Sequence, residues 1–352
     1  MQHALLLPCA GRSPVGERPK YLLTTPDGHM LVRRAAASVP ASTLDRAVVA
    51  ISAKDADDHN AVAAVQDAFS GWDGPDVEVL VLAERTHGPA DTVSLMIAQA
   101  DIRGAIAIKD SDSFFATILH QTGCFIAVCD VRGAPELSNL GGKSFVILND
   151  QGYVEDIAEK KICSDLISAG LYGFSDAGLF VTCHAALRPH AGTCGLYVSH
   201  VMAQAITEGE AVRTLQVNDF VDLDSEKSWR DYCRNHRTLI IEIDGVLIKS
   251  QSGSLPLGWK VQDRAIVPNL DFLRMAQQRG TQLIFITSRA EDLREQTLAA
   301  LRDLELDVHA LVMGCRQGQR CLVSDFAPSH SKLAAIAINL ERNTPNLAQL
   351  LL

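Results

Sequence analysis

The strongest constraint in this sequence is an alternation: short apolar, β-branched runs are followed again and again by amphipathic stretches. Residues 3–7, 46–52, 77–82 and 105–108 read as buried strands, with helices at 31–39, 56–69 and 90–100 between them. Strands that are apolar on both faces, each leading into a helix, predict a parallel sheet covered on both sides, an α/β fold of doubly wound type. The pattern then turns strand-rich, with runs at 124–129, 144–148, 154–158 and 170–174 separated by Gly and Asn/Asp turns. Helices at 175–186 and 195–208 and a strand at 212–217 follow. Beyond a polar, basic passage at 229–237, a second series begins, with strands expected at 238–243, 282–287, 308–313 and 321–324 and helices at 270–278 and 292–304. Two domains are predicted, 1–236 and a smaller α/β unit at 237–352.

At 352 residues and 47% hydrophobic, the chain has the apolar material for two ordinary cores. A formal charge of −10 argues against a nucleic acid as the main partner, because such binders carry a basic face. It leaves room for a local basic pocket that takes one phosphorylated small molecule. No uninterrupted apolar run approaches the length of a membrane span, and the run at residues 4–7 is too short for a signal peptide. The nine cysteines show no C-x-x-C spacing and read as buried thiols of a reducing compartment, so a cytoplasmic location is expected. His184, His190 and His200 lie near Cys183 and Cys194 at irregular spacing and read as core or surface histidines.

In an open α/β sheet, ligands sit beyond the carboxyl ends of the strands. The first strand runs into Pro8-Cys9-Ala10-Gly11-Arg12-Ser13, followed by Arg18-Pro19-Lys20. Backbone amides around Ala10 and Gly11 suit an anion, with Arg12, Arg18 and Lys20 as cations beside them; a tight turn with solvated charges is the plainer alternative. The strand at 105–108 ends in Lys109-Asp110-Ser111-Asp112, two carboxylates spaced to share one hard cation or to cap a solvated turn. Asp222-Leu223-Asp224-Ser225 reads either as a helix N-cap or as the far half of that metal site.

Together these residues resemble sugar-phosphate nucleotidyltransferases of the GT-A-like type. Leu6-Leu7-Pro8-Cys9-Ala10-Gly11-Arg12 with Arg18-Pro19-Lys20 is similar to their L-P-A-A-G-x-G-x-R … P-K signature, although Ser13 and Pro14 stand where its second glycine and arginine fall. Thr86-His87-Gly88-Pro89-Ala90-Asp91-Thr92 resembles their nucleobase-reading loop, Asp222-x-Asp224-Ser225 their second acidic element, and Glu159-Lys160-Lys161 the segment whose lysine meets the acceptor phosphate. The resemblance spans residues 3–232. It implies transfer of a nucleoside monophosphate from an NTP, CTP or UTP by preference, to a sugar phosphate or other small phosphorylated metabolite, with release of pyrophosphate. It implies Mg²⁺ or Mn²⁺ on Asp112 and Asp224, with Asp110 and Asp222 as further ligands or behind them. Pro8, Ala10, Gly11, Thr86, Gly88, Ala90 and Thr92 would contact the nucleotide. Lys20 with Arg12 or Arg18 would meet its phosphates, and Lys160 the acceptor. No oligomeric state follows, and a homodimer is compatible with it.

The run Leu239-Ile240-Ile241-Glu242-Ile243-Asp244-Gly245 resembles the first motif of haloacid-dehalogenase-like (HAD-like) phosphatases. Thr287-Ser288-Arg289 is similar to their phosphate-binding second motif, Ser324-Asp325-Phe326 to their acidic metal motif, and Arg316 or Arg320 stands in for the usual cation. Glu242 replaces the family's aspartate nucleophile, and its longer stem displaces the carboxylate by roughly 1 Å, an error that costs about 100-fold where in-line geometry matters. A weak or inactive phosphatase that serves as a binding or structural module is therefore expected, with an active site adapted to glutamate as the alternative. Trp259 and Lys260 read either as a cap on its pocket or as part of an ordinary packed loop. The pairing of the two domains, with Ala337-Ile338-Asn339-Leu340-Glu341-Arg342-Asn343, resembles proteins encoded with capsule or surface-polysaccharide pathways. Two other readings remain open: a phosphomonoester hydrolase whose first domain recognises substrate, and a non-catalytic scaffold that binds nucleotide or sugar phosphate.

Overall fold

Strand β1 (His3–Pro8) shows why the sheet forms. Successive side chains on a strand point to opposite faces. Leu5 and Leu7 enter one apolar core, Ala4 and Leu6 the other, and all four are buried. Such a strand is stable only with helices on both sides. In the computed structural model, which describes residues 3–11, 14–15, 18–83, 86–116, 123–134, 137, 139–190, 195–250, 264–325 and 335–351, it has them.

The chain divides into two compact units, residues 1–230 and 231–352. The boundary expected after 236 lies earlier, inside a helix. Residues 231–236 belong with the second unit, where Thr281 donates to the Asn235 carbonyl at 2.6 Å and Tyr232 packs on His236.

In the first unit, the short pair β2 (Pro14–Val15) and β3 (Arg18–Pro19) leads to α1 (Leu31–Ala36) and β4 (Arg46–Ser52). Next come α2 (Ala53–His59), α3 (Ala61–Ala68), β5 (Val77–Leu82), α4 (Pro89–Gln99) and β6 (Ala105–Lys109). The helix expected over 56–69 is two helices, broken where Asn60 adopts the left-handed conformation at φ 50°. Strands β7 (Ser113–Ala116), β8 (Cys124–Asp130), β9 (Ser144–Leu148), β10 (Val154–Glu159) and β11 (Leu166–Phe174) follow. Then come α5 (Ala177–Leu187), α6 (Val198–Thr207), β12 (Val212–Gln216), β13 (Asn218–Asp222) and α7 (Glu226–Asn235).

The main sheet runs β10-β9-β11-β6-β1-β4-β5, with β8 joined to β11 and β12 to β8. Strands β6, β1, β4 and β5 are mutually parallel, as the strand–helix alternation requires. A wholly parallel sheet is not what forms: β11 runs antiparallel to β6, β8 and β9, because the strand-rich stretch supplies hairpins in place of helical crossovers. Helices α4, α5 and α6 cover one face, while α1 and α3 cover the other.

In the second unit, β14 (Thr238–Glu242), β15 (Gln282–Ile286) and β16 (Ala310–Val312) form a three-stranded parallel sheet. Helices α8 (Val267–Gln278) and α9 (Arg294–Asp303) connect its strands, and α10 (Leu347–Leu351) adds Leu347 to its core. The strand expected at 321–324 does not form. Leu322 and Val323 are exposed, so this apolar run has no core to enter. Among the described residues, no helix is long and apolar enough to cross a membrane.

Candidate active site

The chemistry-bearing residues of the first unit gather past the carboxyl end of β6 through one small ladder. Strands β7 and β13 pair antiparallel with Asp222 opposite Ser113, and Leu223 donates its backbone N–H to the Asp112 carbonyl at 2.9 Å. The two acidic segments, remote in the chain, are therefore adjacent. Lys20 closes the group: its Nζ lies 3.1 Å from Asp112 Oδ2 and also donates to the Asp224 carbonyl oxygen. The ammonium is nearly buried, its side chain 9% exposed, which strengthens a charge-assisted contact relative to one in water.

Two residues that sequence reasoning passed over complete the cluster. Lys143, at the turn before β9, pairs with Asp222 Oδ2 and lies 2.8 Å from Asp224 Oδ2, to which Asn139 also donates at 3.1 Å. The signal available was a lysine placed directly after Gly141-Gly142. Lys109, wholly buried, donates to the Asp110 carbonyl at 2.9 Å and to the Ser113 carbonyl and hydroxyl at 2.8 and 2.7 Å, so its three N–H groups are satisfied. It is the one charge that ends an otherwise apolar strand.

Electrostatics separate Asp110, Asp222 and Asp224. Burial pushes Asp222 up to about 6 against the pull of Lys143. Burial acts on Asp224 in the same sense, yet hydrogen bonds and charge from Lys143 outweigh it and hold this carboxyl below its usual range. Burial also raises Asp110, whose carboxylate is seated against Gly170: a Cβ there would lie 2.6 Å from Asp110 Oδ2. The alternatives for Asp222-x-Asp224-Ser225 separate by residue. Ser225 caps α7, accepting from the Ser228 N–H at 3.1 Å, while both aspartates face Lys143.

The donor set fits a small, hard cation that keeps its waters. Asp224 Oδ1 is buried without a hydrogen-bond partner, and Asp112 presents a second carboxylate at Lys20, which also contacts the Asp224 backbone carbonyl. Among the described residues, no three His, Cys, Asp or Glu side chains form a ready-made metal cage. Mg²⁺ is commonly held by one or two carboxylates, with water and substrate phosphates in its other positions.

Around this cluster, Pro8 ends β1 opposite Ala50, Ala10 is fully buried, and a Cβ at Gly11 would meet nothing within 4 Å among the described residues. Arg18 is half-buried in β3, two residues before Lys20. Arg12 lies outside the described residues, as do Cys194, Trp259, Lys260 and Phe326. Thr86 and Thr92 share a hydroxyl hydrogen bond of 2.6 Å, and Thr92 donates to the Gly88 carbonyl at 3.3 Å. Ala90 donates to the Leu196 carbonyl at 3.1 Å, and Gly88 packs so closely that a Cβ would lie 2.6 Å from that oxygen. Lys160 donates to Tyr197 Oη at 2.7 Å with its ammonium 4.5 Å from the ring centroid, and its backbone N–H bonds the Lys143 carbonyl at 2.9 Å. His184 is buried with Nε2 2.8 Å from Asp91 Oδ1, and His200 Nδ1 accepts from the Tyr197 N–H at the start of α6.

The cysteines are not uniformly buried: Cys163 and Cys321 are exposed, because each sits outside the strands and helices that line a core. Burial pushes the Cys9 thiol up to about 12, against a hydrogen bond from Ser111. Starting from an ordinary 9.0, this leaves about a thousandfold less thiolate at pH 8. Iodoacetamide on the native protein should therefore label Cys163 and Cys321 and spare Cys9 until denaturant is added, as peptide mass mapping would show. Labelling of Cys9 at the same rate as Cys163 would contradict this.

In the second unit, Glu242 ends β14, Asp244 follows in the next turn, and Thr287 follows β15. Arg320 forks onto both Glu242 oxygens at 3.0 Å. Arg289 forks onto Asp244 at 3.0 and 2.7 Å, and Thr287 adds a donor at 3.2 Å. Arg320 is the cation that pairs with Glu242 here. The expected acidic partner is missing: Asp325 is exposed, and among the described residues neither it nor Ser288 bonds Glu242 or Asp244. It directly follows the stretch at 321–324 that does not form a strand, so nothing carries it to the sheet edge. With every oxygen of Glu242 and Asp244 engaged by guanidinium, this pair does not fit a metal ion.

No protein-family model matches the chain, and no curated protein matches it. Among solved structures, the chain is similar to a nucleoside-diphosphate-sugar pyrophosphorylase from Vibrio cholerae RC9, with a TM-score of 0.56 and 18% identity over 65% of this chain and 99% of that one. It is also similar to a Bacillus anthracis protein assigned as a glucose-1-phosphate thymidylyltransferase, with a TM-score of 0.51 and 12% identity over 66% of this chain and 94% of that one. The chain shares the α/β fold of these proteins.

Proposed function

We propose that the first unit transfers a nucleoside monophosphate from an NTP to a phosphorylated sugar or similar small metabolite, releasing pyrophosphate. The observation that carries this reading is the convergence of Asp112 and Asp224 on Lys20 at the carboxyl end of the parallel strands, where α/β sheets place their ligands. The fold shared with sugar-nucleotide enzymes supports it.

In this reading a phosphate oxygen of the acceptor attacks the α-phosphorus in line. The bond from the α-phosphorus to the bridging oxygen breaks, and pyrophosphate leaves with its electron pair. Such a transfer asks the protein for positioning and charge neutralisation more than for covalent chemistry. Asp112 and Asp224 would hold Mg²⁺ or Mn²⁺, which supplies charge neutralisation at the α-phosphate. Lys20, held by the Asp112 carboxylate and the Asp224 backbone carbonyl, would meet the α-phosphate or the leaving group. Arg18 and the amides of Ala10 and Gly11 would take the remaining phosphates. The Thr86–Thr92 loop, fixed to Leu196, would present the base-reading edge. Lys160 would bind the incoming phosphomonoester after turning from Tyr197. A preference for CTP or UTP, and a place in surface-polysaccharide precursor synthesis, rest on the sequence resemblance alone.

We read the second unit as a HAD-like module that binds without hydrolysing. Its carboxylates are occupied by Arg289 and Arg320, and Glu242 stands in the nucleophile position. The experiment that tests both halves incubates the full chain with each of the four NTPs, Mg²⁺ and a panel of sugar phosphates. Pyrophosphate should appear with at least one NTP, and its rate should survive Glu242→Ala. Release of inorganic phosphate that vanishes with Glu242→Ala would favour the hydrolase reading instead.

A further inference from the structure

We infer that Lys143 is a positioning residue that holds Asp222 and Asp224 in the place of a divalent cation until a nucleotide brings one. The inference rests on the reading of Asp112 and Asp224 as that cation's ligands. Its basis is the pairing itself. One ammonium spans the carboxylates of both aspartates, at 2.8 Å from Asp224 Oδ2 and in direct contact with Asp222. The side chains of Lys143 and Asp222 are only 11% and 9% exposed, so this is no loose surface pair.

Charge dictates the consequence. Lys20, Lys109 and Lys143 stand among Asp110, Asp112, Asp222 and Asp224, so the cluster is almost neutral. A free divalent cation that enters must push an ammonium off its two partners and remain beside two more, which disfavours it at short range and low dielectric. A metal–triphosphate complex brings anionic oxygens to which the displaced ammonium can turn. Lys143 is placed for that turn: its backbone carbonyl accepts from the Lys160 N–H, so its flexible stem starts beside the candidate acceptor cation. Metal and nucleotide should therefore load together.

Free Mn²⁺ binding by electron paramagnetic resonance, on the full chain without nucleotide, reads this directly. Lys143→Met should bind free Mn²⁺ about tenfold more tightly than the parent or better, and Lys143→Arg, which keeps the charge, should stay weak. With α,β-methylene NTP analogues present, parent and Lys143→Met should bind Mn²⁺ alike. Lys143→Gln serves in the same comparison if circular dichroism shows that the methionine variant is unfolded. Loss of a merely structural lysine would not raise metal affinity. Free-Mn²⁺ affinity that is unchanged or weaker in the folded variant overturns the inference. Failure of every variant to take up Mn²⁺ with any nucleotide analogue counts instead against the nucleotidyl-transfer reading, since the nucleotide-free comparison stands by itself.

Discussion

Asp112→Ala and Asp224→Ala should each lower the rate of pyrophosphate release by about a thousandfold or more, equivalent to about 4 kcal/mol of transition-state stabilisation. The size follows from what each carboxylate does. Asp112 pairs with Lys20 and offers an oxygen ligand, while Asp224 carries the buried oxygen that has no hydrogen-bond partner. In the proposed reading, removing either would leave the cation with one protein ligand, and Asp112→Ala would also strip Lys20 of its carboxylate partner. Asp150, in the exposed turn between β9 and β10, provides the control: Asp150→Ala should leave the rate within about twofold, as is usual for surface substitutions. Initial rates at saturating NTP and acceptor, together with a melting curve for each variant, decide the matter. Either site variant retaining more than about a tenth of the parent rate would contradict the assigned roles, because tenfold is only about 1.4 kcal/mol.

Gly195→Ala should be among the damaging single-methyl changes in the first unit. Gly195 has φ 71°, a left-handed conformation that costs other residues about 1–2 kcal/mol. Its added Cβ would lie 2.2 Å from the His87 carbonyl oxygen, a backbone atom that cannot rotate away. Overpacking of that kind adds about 1–3 kcal/mol, for a total of roughly 2–5 kcal/mol. The damage falls on function too, since the displaced atoms belong to the Thr86–Thr92 loop. NTP affinity should fall by about tenfold or more alongside the loss of stability. Thermal denaturation and calorimetric titration measure the two effects. A variant with parent stability and parent NTP affinity would show that the contact between residues 195–196 and 87–88 does not hold the loop.

Much of the frame was legible because burial on two faces writes itself into composition. Leu5, Leu6 and Leu7 leave no polar side to β1, and the same holds for Val48, Val49 and Ala50 in β4. The acidic ends were legible for a different reason: charges placed directly after such runs must emerge at a strand terminus, as Asp110 and Asp112 do. What escaped notice depends on pairing across long separations. Nothing local to Ser113-Phe114-Phe115 says that it pairs with β13, yet that ladder brings Asp112 and Asp224 together. Lys143 is 79 residues from Asp222 in the chain, and only a fold can introduce them. The split at Asn60 was missed because periodicity continues through it while one backbone angle does not. The failed strand at 321–324 shows the converse, since an apolar run without a core to join remains exposed.

Phosphorus NMR of one reaction mixture tests the central claim most directly: full chain, Mg²⁺, the NTP that binds best and a hexose 1-phosphate. The account predicts that the α-phosphorus signal of the NTP moves to a diphosphate diester while pyrophosphate grows in equal amount, and that Asp224→Ala stops both. Appearance of inorganic phosphate alone, or of the diester in undiminished amount with Asp224→Ala, would contradict it.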